Sequence, residues 1–208
     1  MKVMLVNGSS RPNGCTSVAL AEVARALEAE GIQTETLWIG NKPMSDCIAC
    51  GKCRQLDNQC VFGDDGINEI LKKAQEADGF VFGTPVYYAH PSGRVLSALD
   101  RLFYAGGKVF AQKPGFAVAS ARRAGTTASL DVLNKYFTIA QMPVVSSTYW
   151  NMVHGNTPEE VLQDKEGLQT MRNGARNMAW LLKCIEAGKE KGIMPPVNVK
   201  ADVTNFIR

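Results

Sequence analysis

Val3-Met-Leu-Val-Asn-Gly-Ser-Ser-Arg-Pro-Asn-Gly-Cys-Thr-Ser17 passes from strand to loop to helix in one sweep. Its apolar start, residues 3–6, has the length and composition of a buried strand. A loop of Gly, Ser, Arg and Asn follows. From Thr16 to Glu30 the chain is rich in Ala and Leu, with Glu and Arg on the opposite face and Gly31 as the stop. This order of elements makes an anion site. The first N–H groups of a helix have no intrahelical partner and carry partial positive charge. A phosphate monoester placed there is held by those amides and by nearby hydroxyls.

Outward from this stretch the alternation repeats. Apolar runs at residues 80–82, 116–119 and 144–145, and a more polar one at 34–39, fit further strands. Helical patterns lie between them at 65–77, 93–104 and 126–140. In the first of these Ile67, Ile70, Leu71 and Ala74 share a face, and Asp64 or Asp65 caps the first turn. The alternation predicts an α/β fold: a parallel sheet of five strands, covered on both faces and doubly wound by right-handed crossovers. After residues 143–149 the chain changes character. Trp150-Asn-Met-Val-His-Gly155 reads as an aromatic loop, Thr157-Pro158 as a helix start, and residues 166–187 as a long helix carrying Met171, Met178 and Trp180.

The 208 residues suit one domain, spanning 1–208 with a Cys-rich loop at 41–63 and C-terminal helices and a tail at 150–208. A net charge of +3, spread along the chain, gives no reason to expect nucleic acid or a membrane surface as partner. Lys2 precedes only a short apolar run, unlike a secretion signal, and no stretch is long and apolar enough to span a bilayer. The expectation is a cytoplasmic protein.

Two further loops lie where strands 80–82 and 116–119 end, at the same carboxyl edge where α/β sheets bind ligands. Gly83-Thr-Pro-Val-Tyr-Tyr-Ala-His-Pro-Ser-Gly93 offers a rigid Pro85 and two rings, Tyr87 and Tyr88, suited to flank a flat ligand or simply to pack. Ser120-Ala-Arg-Arg-Ala-Gly125 offers two charges for an anion, or two solvated ones. The first loop lacks the G-x-G-x-x-G of dinucleotide sites. Its hydroxyls, its amide Asn13 and its Arg11 suit a terminal phosphate better than a bridging one.

Taken together, the three loops resemble the NAD(P)H-dependent FMN reductase family of the flavodoxin-like superfamily. The first is similar to its G-S-x-R-x-x-x-T/S loop. The second is similar to its S-P-x-Y loop, followed by a helix ending in Leu99-Asp100-Arg101. The third resembles its flavin-bordering loop. The resemblance implies a flavodoxin-like sheet in the order 2-1-3-4-5 and bound FMN. Ser9, Arg11, Asn13, Thr16 and Ser17 would hold its phosphate. Pro85, Val86, Tyr87 and Tyr88 would face the isoalloxazine, with Ala121, Arg122 and Gly125 on the other border. Cys15, polar in many relatives, would contribute its backbone N–H. The implied activity is electron transfer from NAD(P)H through FMN to a small acceptor such as flavin or quinone, or to a redox protein partner, by a homodimer or homotetramer whose interface Tyr149, Trp150, Met171, Met178 and Trp180 of the final third would partly supply. The flavin carries the chemistry, so no catalytic side chain is assigned.

Six cysteines are present, four of them as Cys47-x2-Cys50-x2-Cys53-x6-Cys60. Three thiols at even intervals and a later fourth can meet the corners of a cubane. The run resembles the compact motif of the iron–sulfur flavoproteins, which implies a [4Fe–4S] cluster. A structural zinc site, a redox thiol pair and a plain loop remain alternatives, although zinc favours paired C-x2-C knuckles. Two other functions stay open: a flavodoxin-like electron carrier with no nicotinamide reaction, and a non-catalytic phosphate-binding domain with zinc. His90 sits in the second loop. His154, with Trp150 and Asn151, would line a pocket or a subunit contact. Cys184 reads as a buried small hydrophobe.

Overall fold

The computed structural model describes residues 1–63, 65–199, 201, 202 and 204. Five parallel strands form the sheet: β1 (Lys2–Asn7), β2 (Gln33–Trp38), β3 (Gly79–Tyr87), β5 (Gly115–Ala121) and β6 (Met152–His154). They lie in the order β2-β1-β3-β5-β6. A two-residue strand, β4 (His90–Pro91), folds back antiparallel on the end of β3. Without that small ribbon the order is 2-1-3-4-5, as the sequence predicts.

Alternate residues of each central strand serve opposite faces, as the two-residue repeat of a strand requires. Val3, Leu5, Val81, Phe116 and Val118 pack against α1 (Cys15–Ala29) and α6 (Lys165–Glu190), with the short α5 (Pro158–Val161) at the end of that layer. Met4, Val6, Phe80, Phe82, Ala117 and Ala119 pack against α2 (Ile67–Ala74), α3 (Gly93–Phe110) and α4 (Thr126–Ile139). Arg172 and Lys183 of α6 bond Glu22 of α1 and Glu30 at its C-terminal cap, at 2.6 and 2.8 Å. Among the described residues no helix is long and apolar enough to cross a membrane.

Several expectations change. The fifth strand is not residues 143–149. Val144 makes only an isolated bridge to Gly115, the chain then swings out, and pairing resumes at Met152–His154, inside the segment expected to be a loop. Only there do apolar side chains again face a core. α3 runs six residues past the expected end at 104, to Phe110, bending at Gly106. A Cβ at Gly106 would lie 2.4 Å from Leu71 Cδ2, so the bend lets α3 close on α2. α2 itself is shorter than the expected 65–77. Of the two expected caps, Asp64 lies outside the described residues, as does most of the tail beyond Val199, and Asp65 is not the N-cap of α2, which is Gly66, because its carboxylate is held by Arg101. Met171 and Met178 are wholly buried inside the protomer and so cannot contribute to a subunit contact, whereas Trp180, Tyr149 and Trp150 are exposed. Cys184 is exposed rather than buried, because it lies beside Lys183 on the outer face of α6.

Candidate functional site

The loop between β1 and α1 is built by its own residues. Buried Asn7 brackets it: its Oδ1 accepts from Ser9 N–H at 3.0 Å and its Nδ2 donates to Pro12 O at 3.2 Å. Ser9 Oγ accepts from Arg11 N–H at 3.1 Å, and Trp38, at the end of β2, donates its indole N–H to Ser9 O at 2.7 Å. Gly8 lies where a Cβ would stand 2.7 Å from Gly83 O and from Val95 Cγ2, so the loop runs directly beneath the β3 loop. Gly14 precedes α1 without a side-chain cap. Among the described residues the N–H groups of Ser10, Asn13, Cys15 and Thr16 have no protein partner. They form a patch of donors at the positive end of a helix.

Arg11 and Asn13 are exposed on this loop. The hydroxyls expected to contribute are engaged otherwise. Thr16 is buried, and its Oγ1 is 2.8 Å from Ser120 Oγ; Ser17 Oγ donates to Gly14 O at 2.7 Å. Burial pushes the Cys15 thiol up, and its Sγ faces Gly155 O at 3.5 Å.

The three loops meet at the carboxyl edge of the sheet. Gly8 N–H bonds Gly83 O at 2.8 Å, and Ser92 Oγ donates to Gly8 O at 2.9 Å while capping α3 through Val95 N–H. Thr16–Ser120 joins the first loop to the third. Gly125, at φ 91°, packs where a Cβ would be 2.7 Å from Val86 Cγ1, joining the third to the second. Pro85 and Ala121 are buried, Val86 is half-buried, and Arg122 is exposed. Tyr87 leans over the first loop, its hydroxyl 2.7 Å from Ser10 Oγ. Burial would push the Tyr87 phenol up, but its bonds with Ser10 and Ser9 and the nearby Arg11 charge hold it below its ordinary range. Tyr88 stands fully in solvent at φ 64°.

All four clustered cysteines line one cavity of about 230 Å³, together with Ile48, Phe62, Arg101 and Tyr104. Their thiols are unpaired. Among the described residues no three His, Cys, Asp or Glu groups gather as ligands of a single ion do. The chain here has one 3-10 turn, Lys52–Arg54, and little other regular structure. Asn68 of α2 holds Cys60 by both backbone groups, accepting from its N–H at 2.8 Å and donating to its carbonyl at 3.0 Å. Asn7, Trp38, Ser92, Ser120 and Asn68 escaped the sequence reading. Of these only Ser92, directly before the α3 pattern, carries a local signal, that of an N-cap.

His90 is exposed and contacts the neighbouring Pro91 O at 2.8 Å. His154 lies on β6, with its N–H on Asp164 Oδ2 at 2.6 Å and its ring beside a cavity of only about 60 Å³ that Trp150 also lines.

The fold matches that of an archaeal flavodoxin, with a TM-score of 0.58 at 14% identity over 88% of this chain and 99% of that one. The family model for NADPH-dependent FMN reductases matches residues 1–157, and the chain belongs to that family of flavoprotein oxidoreductases. It is 34% identical over 194 residues to an iron-sulfur flavoprotein of Methanocaldococcus jannaschii, covering 89% of this chain and all of that relative. An iron-sulfur flavoprotein of Methanosarcina thermophila is 28% identical over 196 residues, covering 92% of this chain and all of that relative.

Proposed function

We propose that this oxidoreductase passes electrons from NAD(P)H, or from a [4Fe–4S] cluster on Cys47, Cys50, Cys53 and Cys60, through FMN to a small acceptor such as free flavin or a quinone. The observation that carries this reading is the meeting of three loops above an uncapped helix start. The fit to FMN is specific. A dianionic phosphate matches the unpartnered N–H groups of Ser10, Asn13, Cys15 and Thr16, with Arg11, Asn13 and Ser9 around it. Thr16 and Ser17 serve through backbone and loop shape, since their hydroxyls are already bonded. Pro85, Val86, Tyr87 and Tyr88 would border the ring on one side and Ala121, Arg122 and Gly125 on the other.

The four free thiols around one cavity support the cluster. When bound, FMN exchanges one or two electrons and the cluster one at a time. The chain's own residues bind, orient and shield these groups. The exposed Tyr149, Trp150 and Trp180 supply the contact of a homodimer or homotetramer. A carrier with no nicotinamide reaction is the second reading, favoured by the cysteine cavity.

An anaerobic sample loaded with FMN and iron separates these readings. NADPH should bleach the flavin absorption. Cys53→Ser should abolish the cluster's visible shoulder and spare FMN binding. FMN bound but untouched by NADPH selects the carrier reading, and failure to bind FMN overturns both.

A further inference from the structure

Among the described residues Arg101 is the largest fully buried side chain, 1% exposed on α3. A guanidinium has five N–H donors, and burial leaves none free without cost. All five are used, and every acceptor lies between residues 45 and 65. The two Nη groups grip the Asp65 carboxylate as a fork, with Nη2 to Oδ1 at 3.0 Å and Nη1 to Oδ2. Nη1 also donates to Ser45 O at 3.2 Å and Nη2 to Phe62 O at 3.3 Å. The remaining donor, Nε–H, points at Cys60 Sγ at 3.3 Å. The Phe62 ring covers the guanidinium, 5.1 Å from its carbon. Arg101 thus ties both ends of the cysteine loop to a rigid helix and reserves one N–H for a ligand sulfur.

We infer that Arg101 is the positioning residue of the cysteine site: it presents Cys60 to the cavity and, through Nε–H···Sγ, stabilises the more negative, reduced form of a cluster bound there. This rests on the cluster reading proposed above. The physical reason is direct. A donor on a ligand thiolate offsets part of its charge, and the offset matters more once an electron has been added. Asp65 balances the guanidinium's charge, so the arginine can be buried without an unpaired cation. Arg54 lines the same cavity but is exposed, and no bond to a cysteine sulfur is made by it among the described residues.

Three variants of the full chain test this: Arg101→Lys, which keeps the charge and loses the fork; Arg101→Met with Asp65→Asn, which removes the pair together; and Arg54→Met, which removes a charge without a sulfur contact. Each is loaded anaerobically with FMN, iron and sulfide. Four things are measured: iron per chain, release of iron to a chelator, cluster midpoint potential and FMN stoichiometry. The expected result is release about tenfold faster or more in both Arg101 variants. Their midpoint potential should fall, most in the double variant, with FMN bound as before. Arg54→Met should behave as wild type. Unchanged release and potential in the Arg101 variants would overturn the inference, as would an equal effect from Arg54→Met. So would loss of FMN binding in both Arg101 variants, which would make the residue a support of the whole domain. A wild-type chain that takes up no iron fails earlier, at the cluster reading itself, and takes the role of Arg101 with it.

Discussion

The loop after β1 and the cysteine loop after β2 leave the same edge of the sheet from neighbouring strands, yet they are held in opposite ways. The first has a framework of bonds among its own residues, to which Trp38, Tyr87 and Ser92 add others. Asn7 accepts from Ser9 N–H, Ser9 Oγ accepts from Arg11 N–H, Gly14 N–H donates to Arg11 O, and Gly8 seats the loop against Gly83. The second has a single 3-10 turn and owes its shape to side chains far along the chain, Asn68 and Arg101. A site made of backbone donors can be finished by local folding. A site made of thiols needs outside anchors, because thiols give the backbone little to hold.

The largest test of this contrast is Gly8→Ala. Its Cβ would press on Gly83 O and Val95, and relief requires the loop to move. Thermal unfolding should show a loss of about 2 kcal/mol, and fluorescence titration a marked loss of FMN affinity. Wild-type behaviour in both would break the claim that this loop is preformed.

Thr16→Val comes next. It leaves the buried Ser120 hydroxyl without its partner, at a cost of about 1 kcal/mol. FMN affinity should stay near wild type, because this hydroxyl serves the fold. A large loss of affinity with little change in stability would reverse that assignment.

The smallest effect belongs to β2, the strand that leads into the cysteine loop. Glu35 bonds Lys2 at 2.7 Å and Lys73 at 2.8 Å, and these bonds, Lys2 first, hold its carboxyl below the ordinary value of 4.5. A carboxyl lowered in the folded state adds stability above its ordinary value and loses it as the pH falls through the folded one. The pair is partly exposed and screened, so Glu35→Gln should cost about 0.5 kcal/mol at neutral pH. Denaturant midpoints should converge with wild type as the solution is acidified. A gap that widened in acid would contradict the assignment.

These differences explain what the sequence disclosed. The strands 3–6, 80–82 and 116–119 were legible because both of their faces are buried, so they read as continuous apolar runs. The first loop was legible because its residues act near where they stand. The fifth strand was misplaced because residues 146–151 swing out between two short pairings, and no local pattern marks such a detour. Arg101 stood next to the apolar face of its helix, yet its acceptors lie 36 or more positions earlier in the chain. Cys184 misled because composition alone does not fix which side of a helix meets the core.

The layering also bears on how the molecule is made. Strands β1, β3 and β5 present one face that α1 and α6 cover, with α5 at its end, and α6 brings Met171, Ala175, Met178 and Leu182 to it. Phe116 lies so close beneath Gly174 that a Cβ there would stand 2.2 Å from its ring. The loop after β1 and the helix that completes the core beneath it are far apart in the chain, α1 beginning at Cys15 and α6 at Lys165. The loop after β1 therefore gains its full support only once α6 has docked on this face of the sheet.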